Sequence, residues 1–161
     1  MRNPSFRCLA GVVVLTLACL ACSDSNEVTG SSRPAVSLSV HAPEVVRAGE
    51  EFQLRLELQS LGANIRNARV DVVLPSVSFS LAEESTISSS LFVKALHFSS
   101  GGFAWAVADF GPNGRPFVSL PFVGHLPTGQ GATPTTVEAT LIGATYGGED
   151  VHAVRVITVT P

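Results

Sequence analysis

After residue 22 the chain contains no cysteine; its three lie at Cys8, Cys19 and Cys22. A domain built from the residues that follow has no disulfide, so packing alone must stabilise it. Rings that could stack on a sugar are almost as scarce, with one tryptophan, Trp105, and one tyrosine, Tyr146. Trp105 alternates with Phe103 and Val107, which places it in a core, and leaves Tyr146, beside Gly147-Gly148, as the aromatic expected at the surface. Positive charge is thin too. Setting aside Arg2 and Arg7 leaves eight of the ten basic residues against 13 acidic ones, a net of −5. No basic patch forms, which excludes nucleic acid as a partner on electrostatic grounds. The uncharged run Cys8–Ala21 spans 14 residues, short of the roughly 20 that a bilayer-crossing helix needs.

Reactive groups are present but do not converge. His41, His97, His125 and His152 show no H-x-x-x-H or comparable spacing with an acid, so no zinc site is expected. Serines are plentiful, notably Ser88–Ser90 and Ser99-Ser100, yet no G-x-S-x-G elbow or triad pattern accompanies them. Among the carboxylates Glu83-Glu84, Asp109 and Glu149-Asp150, calcium binding would need several converging oxygens. Gly148-Glu149-Asp150 reads first as a hairpin turn, with a weak calcium site near Glu149 and Asp150 left open. The expectation is a non-enzyme with no catalytic residue, no cofactor and no metal.

The N-terminus is organised differently. Arg2 and Arg7 precede the apolar run, and small residues close it, the pattern of a secretion signal over residues 1–21. The junction reads LTLACLACSDSN. It resembles the lipobox of bacterial lipoproteins, in which a cysteine thiol takes a diacylglyceryl group before cleavage and becomes the N-terminus. The resemblance points to Cys22, since polarity begins immediately after it, at Ser23-Asp24-Ser25. Cys19 is the competing acceptor, and it occupies the position where a lipobox usually carries leucine. An ordinary signal peptide without lipid is the remaining reading. The resemblance implies a palmitate-type anchor, a membrane partner and an exported protein of the bacterial cell envelope. Residues 22–34, rich in Ser, Gly, Asn and charge, read as a lipidated N-terminus and flexible tether.

Beyond the tether, over residues 35–161, apolar residues recur with a period of two. Phe52, Leu54, Leu56 and Leu58 alternate with Glu51, Gln53, Arg55 and Glu57. On a strand this puts four apolar side chains on one face, whereas a helix would scatter them. The same pattern runs through Ala68–Leu74, Val77–Leu81, Phe103–Val107, Val118–Phe122 and Val137–Leu141, with Val36–Val40 as a first strand. Pro116 and Pro121 predict an edge position or a bulge for the 118–122 strand. The run Val151–Val159, apolar or β-branched on both faces, predicts a central strand covered on each side. Gly62-Ala63-Asn64, Leu74-Pro75-Ser76, Gly101-Gly102 and Gly111–Gly114 mark turns, and Pro127–Pro134 a longer loop. The prediction is an all-β, immunoglobulin-like β-sandwich of seven to nine strands.

The opening, Val36–Val40, Ala42-Pro43-Glu44-Val45-Val46 and Ala48-Gly49-Glu50, resembles the conserved-repeat immunoglobulin-like family of bacterial surface proteins, the "domain of unknown function eleven" group, kin to cell-adhesion-related bacterial domains. Leu61–Asn64, Ala68–Leu74 and Pro75 match its turn, strand and Leu-Pro step, and Phe103-Ala104-Trp105, Phe110-Gly111-Pro112 and Phe117–Val123 its tryptophan strand, turn and next strand. The chain departs from the family in having one copy, and in carrying Glu149-Asp150 where paired asparagines are usual. A cohesin-like module is the second resemblance, through residues 64–76 and the closing strands. The first implies a structural or protein-contact role without catalysis. The second implies a ligand module, and the partner stays open between an envelope protein and a polysaccharide.

Overall fold

The computed structural model describes residues 36–83, 87–90, 93–143 and 151–161. Cys8, Cys19, Cys22, Tyr146, Glu149 and Asp150 lie outside the described residues. Two sheets face each other. The first has the order β1 (Val36–His41), β3 (Glu51–Ser60), β9 (Phe117–Gly124), β5 (Phe79–Leu81), with β6 (Ser88–Ser89) also paired to β9. The second runs β2 (Val45–Arg47), β11 (Val151–Thr160), β10 (Thr133–Ile142), β4 (Arg69–Val73), β8 (Gly102–Val107), β7 (Val93–Ser99). All pairs are antiparallel except β2 with β11. The chain is therefore an all-β sandwich, as the period of two predicts.

β3 shows why. Phe52, Leu54, Leu56 and Leu58 are buried while Glu51 and Gln53 are exposed. The register sets Leu56 between Val40 of β1 and Val118 of β9, and Leu54 beside Leu120. From the other sheet Val70, Val72, Phe103, Trp105, Val107, Val137, Ala139, Leu141, Ile157 and Val159 close over them. Burying the four β3 side chains contributes on the order of 6–12 kcal/mol before entropy is counted. Trp105 is fully buried, and its Nε1 has no hydrogen-bond partner among the described residues. That orphan donor costs about 1–3 kcal/mol against what the indole gains by burial.

The strands number eleven among the described residues, above the predicted seven to nine. The additions are β2 and β6, three and two residues long and too short to carry a period, and β7, an edge strand of seven residues whose alternation is broken by a bulge between Val93 and Ala95. β5 starts at Phe79, and Val77 is exposed in the turn before it rather than inward on the strand. β10 begins at Thr133, so the Pro127–Pro134 loop ends sooner than expected.

The expected edge position of the proline-bearing strand is corrected. β9 sits inside the first sheet, with β3 on one side and β5 and β6 on the other. The reason is where the missing donor falls. In a strand a residue's N–H and C=O point to the same side, and the Pro121 carbonyl accepts from the Ala82 N–H (2.9 Å). Its nitrogen therefore faces the side where β5 pairs at residues 122–124 and β6 at 118–119. Pro121 stands where the β5 ladder ends, so its missing N–H interrupts no pairing within β5 or β6.

The expectation that the last strand is covered on both faces is also corrected. Ile157 and Val159 are buried, but Val154 and Val156 on the opposite face are 62% and 51% exposed. Beside this strand the chain changes sheets at Ala42-Pro43, running from β1 into β2. The inward-facing Arg155 secures that corner by donating to the Ala42 carbonyl from Nε (3.1 Å) and from a terminal guanidinium nitrogen (2.7 Å). Its 3.7 Å approach to the exposed Glu44 carboxylate adds little. Arg155→Met is expected to lower stability by about 1–2 kcal/mol, read as a shift of the urea midpoint at constant slope, with Glu44→Gln near zero.

Candidate interaction face

The outer face of the second sheet differs from an ordinary solvated surface. Register places its outward side chains in rows. Val154, Glu138, Val73 and Gly102 lie side by side across β11, β10, β4 and β8. The next row is His152, Thr140, Asp71, Ala104 and, on β7, His97. Beyond it come Arg69, Ala106 and Ala95. On the other side Val156 stands beside Thr136, and Val45 of β2 beside Thr158. Four of the exposed large apolar residues, Val45, Val73, Val154 and Val156, fall on this one face.

Strand alternation explains the placement: the buried partners Val46, Val70, Val72, Ile157 and Val159 take the inner positions, so these valines must point out. Alanine, threonine and glycine around them keep the surface low. Charge is sparse. Arg69 and Asp71 neutralise each other through a 2.6 Å ion pair, and Glu138 has no cationic partner among the described residues, though it stands between Val73 and Val154. The first sheet's outer face offers the contrast. Arg55 binds Glu57 at 2.9 Å and covers the Phe117 ring from 4.0 Å, with Ser37, Ser39, Gln53 and Ser119 around them. That face is solvated in the usual way, while the second sheet leaves valine bare.

The four histidines lie at exposed positions, and three of them bond hydroxyls. His41 reaches Ser39 (3.1 Å), His152 reaches Thr140 (3.0 Å) and His125 reaches Ser80 (2.6 Å). The Ser80–His125 pair joins residues 45 apart, so no spacing motif could announce it. Both groups are exposed, and the pair ties β5 to the segment after β9, where the His125 N–H also donates to the Ser78 carbonyl (2.7 Å). No group of three or more His, Cys, Asp or Glu able to hold a metal occurs among the described residues. Trp105 is core, as its alternation predicts. Cys22 and Cys19, and the Glu149-Asp150 turn, fall outside the described residues.

No protein-family model and no curated protein matches the chain. Solved structures do. A cohesin module from a Clostridium perfringens family 33 glycoside hydrolase aligns with a TM-score of 0.53 at 16% identity, covering 78% of this chain and 97% of that one. The CARDB domain of a Pyrococcus furiosus protein, solved in complex with di-metal ions, aligns at 0.52 and 14%, covering 78% and 87%. The bacterial hydrophobin BslA aligns at 0.51 and 16%, covering 78% and 94%. Identities this low speak to architecture alone, and over 78% of its length the chain is similar to immunoglobulin-like β-sandwiches.

Proposed function

We propose that this chain is a non-enzymatic, lipid-anchored protein of the bacterial cell envelope whose single sandwich makes protein contacts through the outer face of its six-stranded sheet. The observation that carries the reading is the bare valine surface of Val45, Val73, Val154 and Val156, set among alanine, threonine and glycine with few charges on the same face. Exposed apolar patches on soluble domains mark interaction sites. Such a face of small side chains suits a protein surface better than a sugar, whose recognition calls for projecting rings that this face lacks among the described residues. The unpaired Glu138 at its centre selects a partner with an apolar surface and a basic group in the middle. The likeness to a cohesin module supports a contact role in general. The lipobox-like junction at Cys22 supports anchoring, and the polar tether to residue 34 supplies about 40 Å of reach at ~3.4 Å per residue.

A photo-crosslinking amino acid placed at Val154 tests this in living cells. It is expected to give a discrete crosslinked protein band that the same group at Gln53, on the opposite sheet, does not give. Glu138→Arg in the Val154 background is expected to weaken that band at least tenfold. Equal crosslinking from both faces, or none from Val154, would remove the support for this reading.

A further inference from the structure

A second site lies at one end of the sandwich, bordering the valine face at Gly102. There the edges of the two sheets part around a cavity of about 290 Å³. Its walls are Phe98 and Phe103 from β7 and β8 of one sheet, Phe79 and Phe122 from β5 and β9 of the other, with Leu74 and Leu81. The rings form a connected series. Phe98 and Phe103 have centroids 5.9 Å apart, Phe103 and Phe122 stack at 6.2 Å, and Phe52 links Phe122 (6.3 Å) to Phe79 (5.5 Å). Phe98 is the telling member. Its register opposite Phe103 turns it toward the interior, yet it stays 41% exposed among the described residues. Gly102, at the start of β8, cannot carry a side chain to cover it, since a Cβ there would overlap the Val72 carbonyl.

The mouth carries hydroxyls, from Ser76, Ser80, Ser99 and Ser100, and none of the described lining residues is charged. An apolar slot with a few polar groups at its opening is the usual form of a small-ligand site. At ~30 Å³ per water-sized group, the volume accommodates roughly ten heavy atoms of a hydrocarbon chain. Without a cation to meet a carboxylate, a charged head would lose its hydration at the mouth uncompensated. We propose that this cleft binds the alkyl chain of an uncharged amphiphile, with the serine hydroxyls receiving a neutral hydroxyl or ester head.

The test uses the full mature chain, residues 22–161, carrying Cys22→Ala and purified without detergent, so that no acyl group of its own competes. Monodecanoylglycerol, below its aggregation limit, is expected to bind saturably and to shift amide resonances of Leu81, Phe98, Ser99 and Gly102 but not of Val154. Decanoate is expected to bind at least tenfold more weakly, and glycerol not at all. Leu81→Trp fills the slot and Phe98→Ala removes its exposed wall. Each is expected to weaken the glyceride at least tenfold while the far-ultraviolet spectrum stays that of strands. Absence of saturable binding, shifts centred elsewhere, equal affinity for decanoate, or unchanged affinity in folded variants of both kinds would overturn the assignment. The valine-face contact is read by crosslinking at Val154, so either reading can fail without the other.

Discussion

Leu56→Ala is expected to lower the stability of the sandwich by about 3–4 kcal/mol, whereas Glu57→Ala, one residue along the same strand, is expected to cost less than about 1 kcal/mol. Leu56 is fully buried, and its strand is hydrogen-bonded on both sides, to β1 at Val40 and to β9 at Val118. The backbone therefore cannot collapse into the space that three lost carbon positions would leave, and the cavity adds to the lost transfer energy. Glu57 points the other way. Its partner is the Arg55 guanidinium at 2.9 Å, in a pair whose side chains are 42% and 24% exposed, so solvent screens most of what the pair contributes. The difference between neighbours reports the period of two directly. Chemical denaturation followed by tryptophan fluorescence, with Trp105 as the buried reporter, checks it. Similar losses from the two substitutions would mean that β3 does not present one face to a core.

What was legible in the sequence was whatever a strand states about itself. Phe52–Leu58, Ala68–Leu74, Phe103–Val107 and Val137–Leu141 each carry enough alternating residues to identify both the strand and its inner face, and the buried residues agree position by position. The absence of a later cysteine likewise stated that packing alone holds the domain. What was not legible depends on neighbours. Pro121 reads as an edge signal until its missing N–H is seen to fall where the β5 ladder ends. Val154 and Val156 read as buried because hydrophobicity in sequence does not say which face another layer covers. The cleft draws its four phenylalanines from four strands between residues 79 and 122, so no local window contains it. The Ser80–His125 pair is distant in the chain for the same reason.

The valine face matters only if the domain is held where its partner is. Two acyl chains give lasting attachment to a bilayer, where one gives only marginal, reversible binding. The proposal therefore stands on the residue that would carry them. Ser23-Asp24-Ser25 follows Cys22 at once, so cleavage there would leave an N-terminal cysteine whose sulfur already carries the lipid, with a polar tether behind it. Cys22→Ala removes the acceptor sulfur, and its expected effect is complete: no acylation, no release of residues 1–21, and loss of the mature species from the membrane fraction.

Intact mass of the detergent-extracted protein is the most direct measurement. The unsubstituted chain should give the mass of residues 22–161 plus lipid, and Cys22→Ala the full 161-residue mass with none. Acyl mass that persisted in Cys22→Ala, or a mature chain beginning at another residue without lipid, would contradict the account of how this sandwich reaches its place.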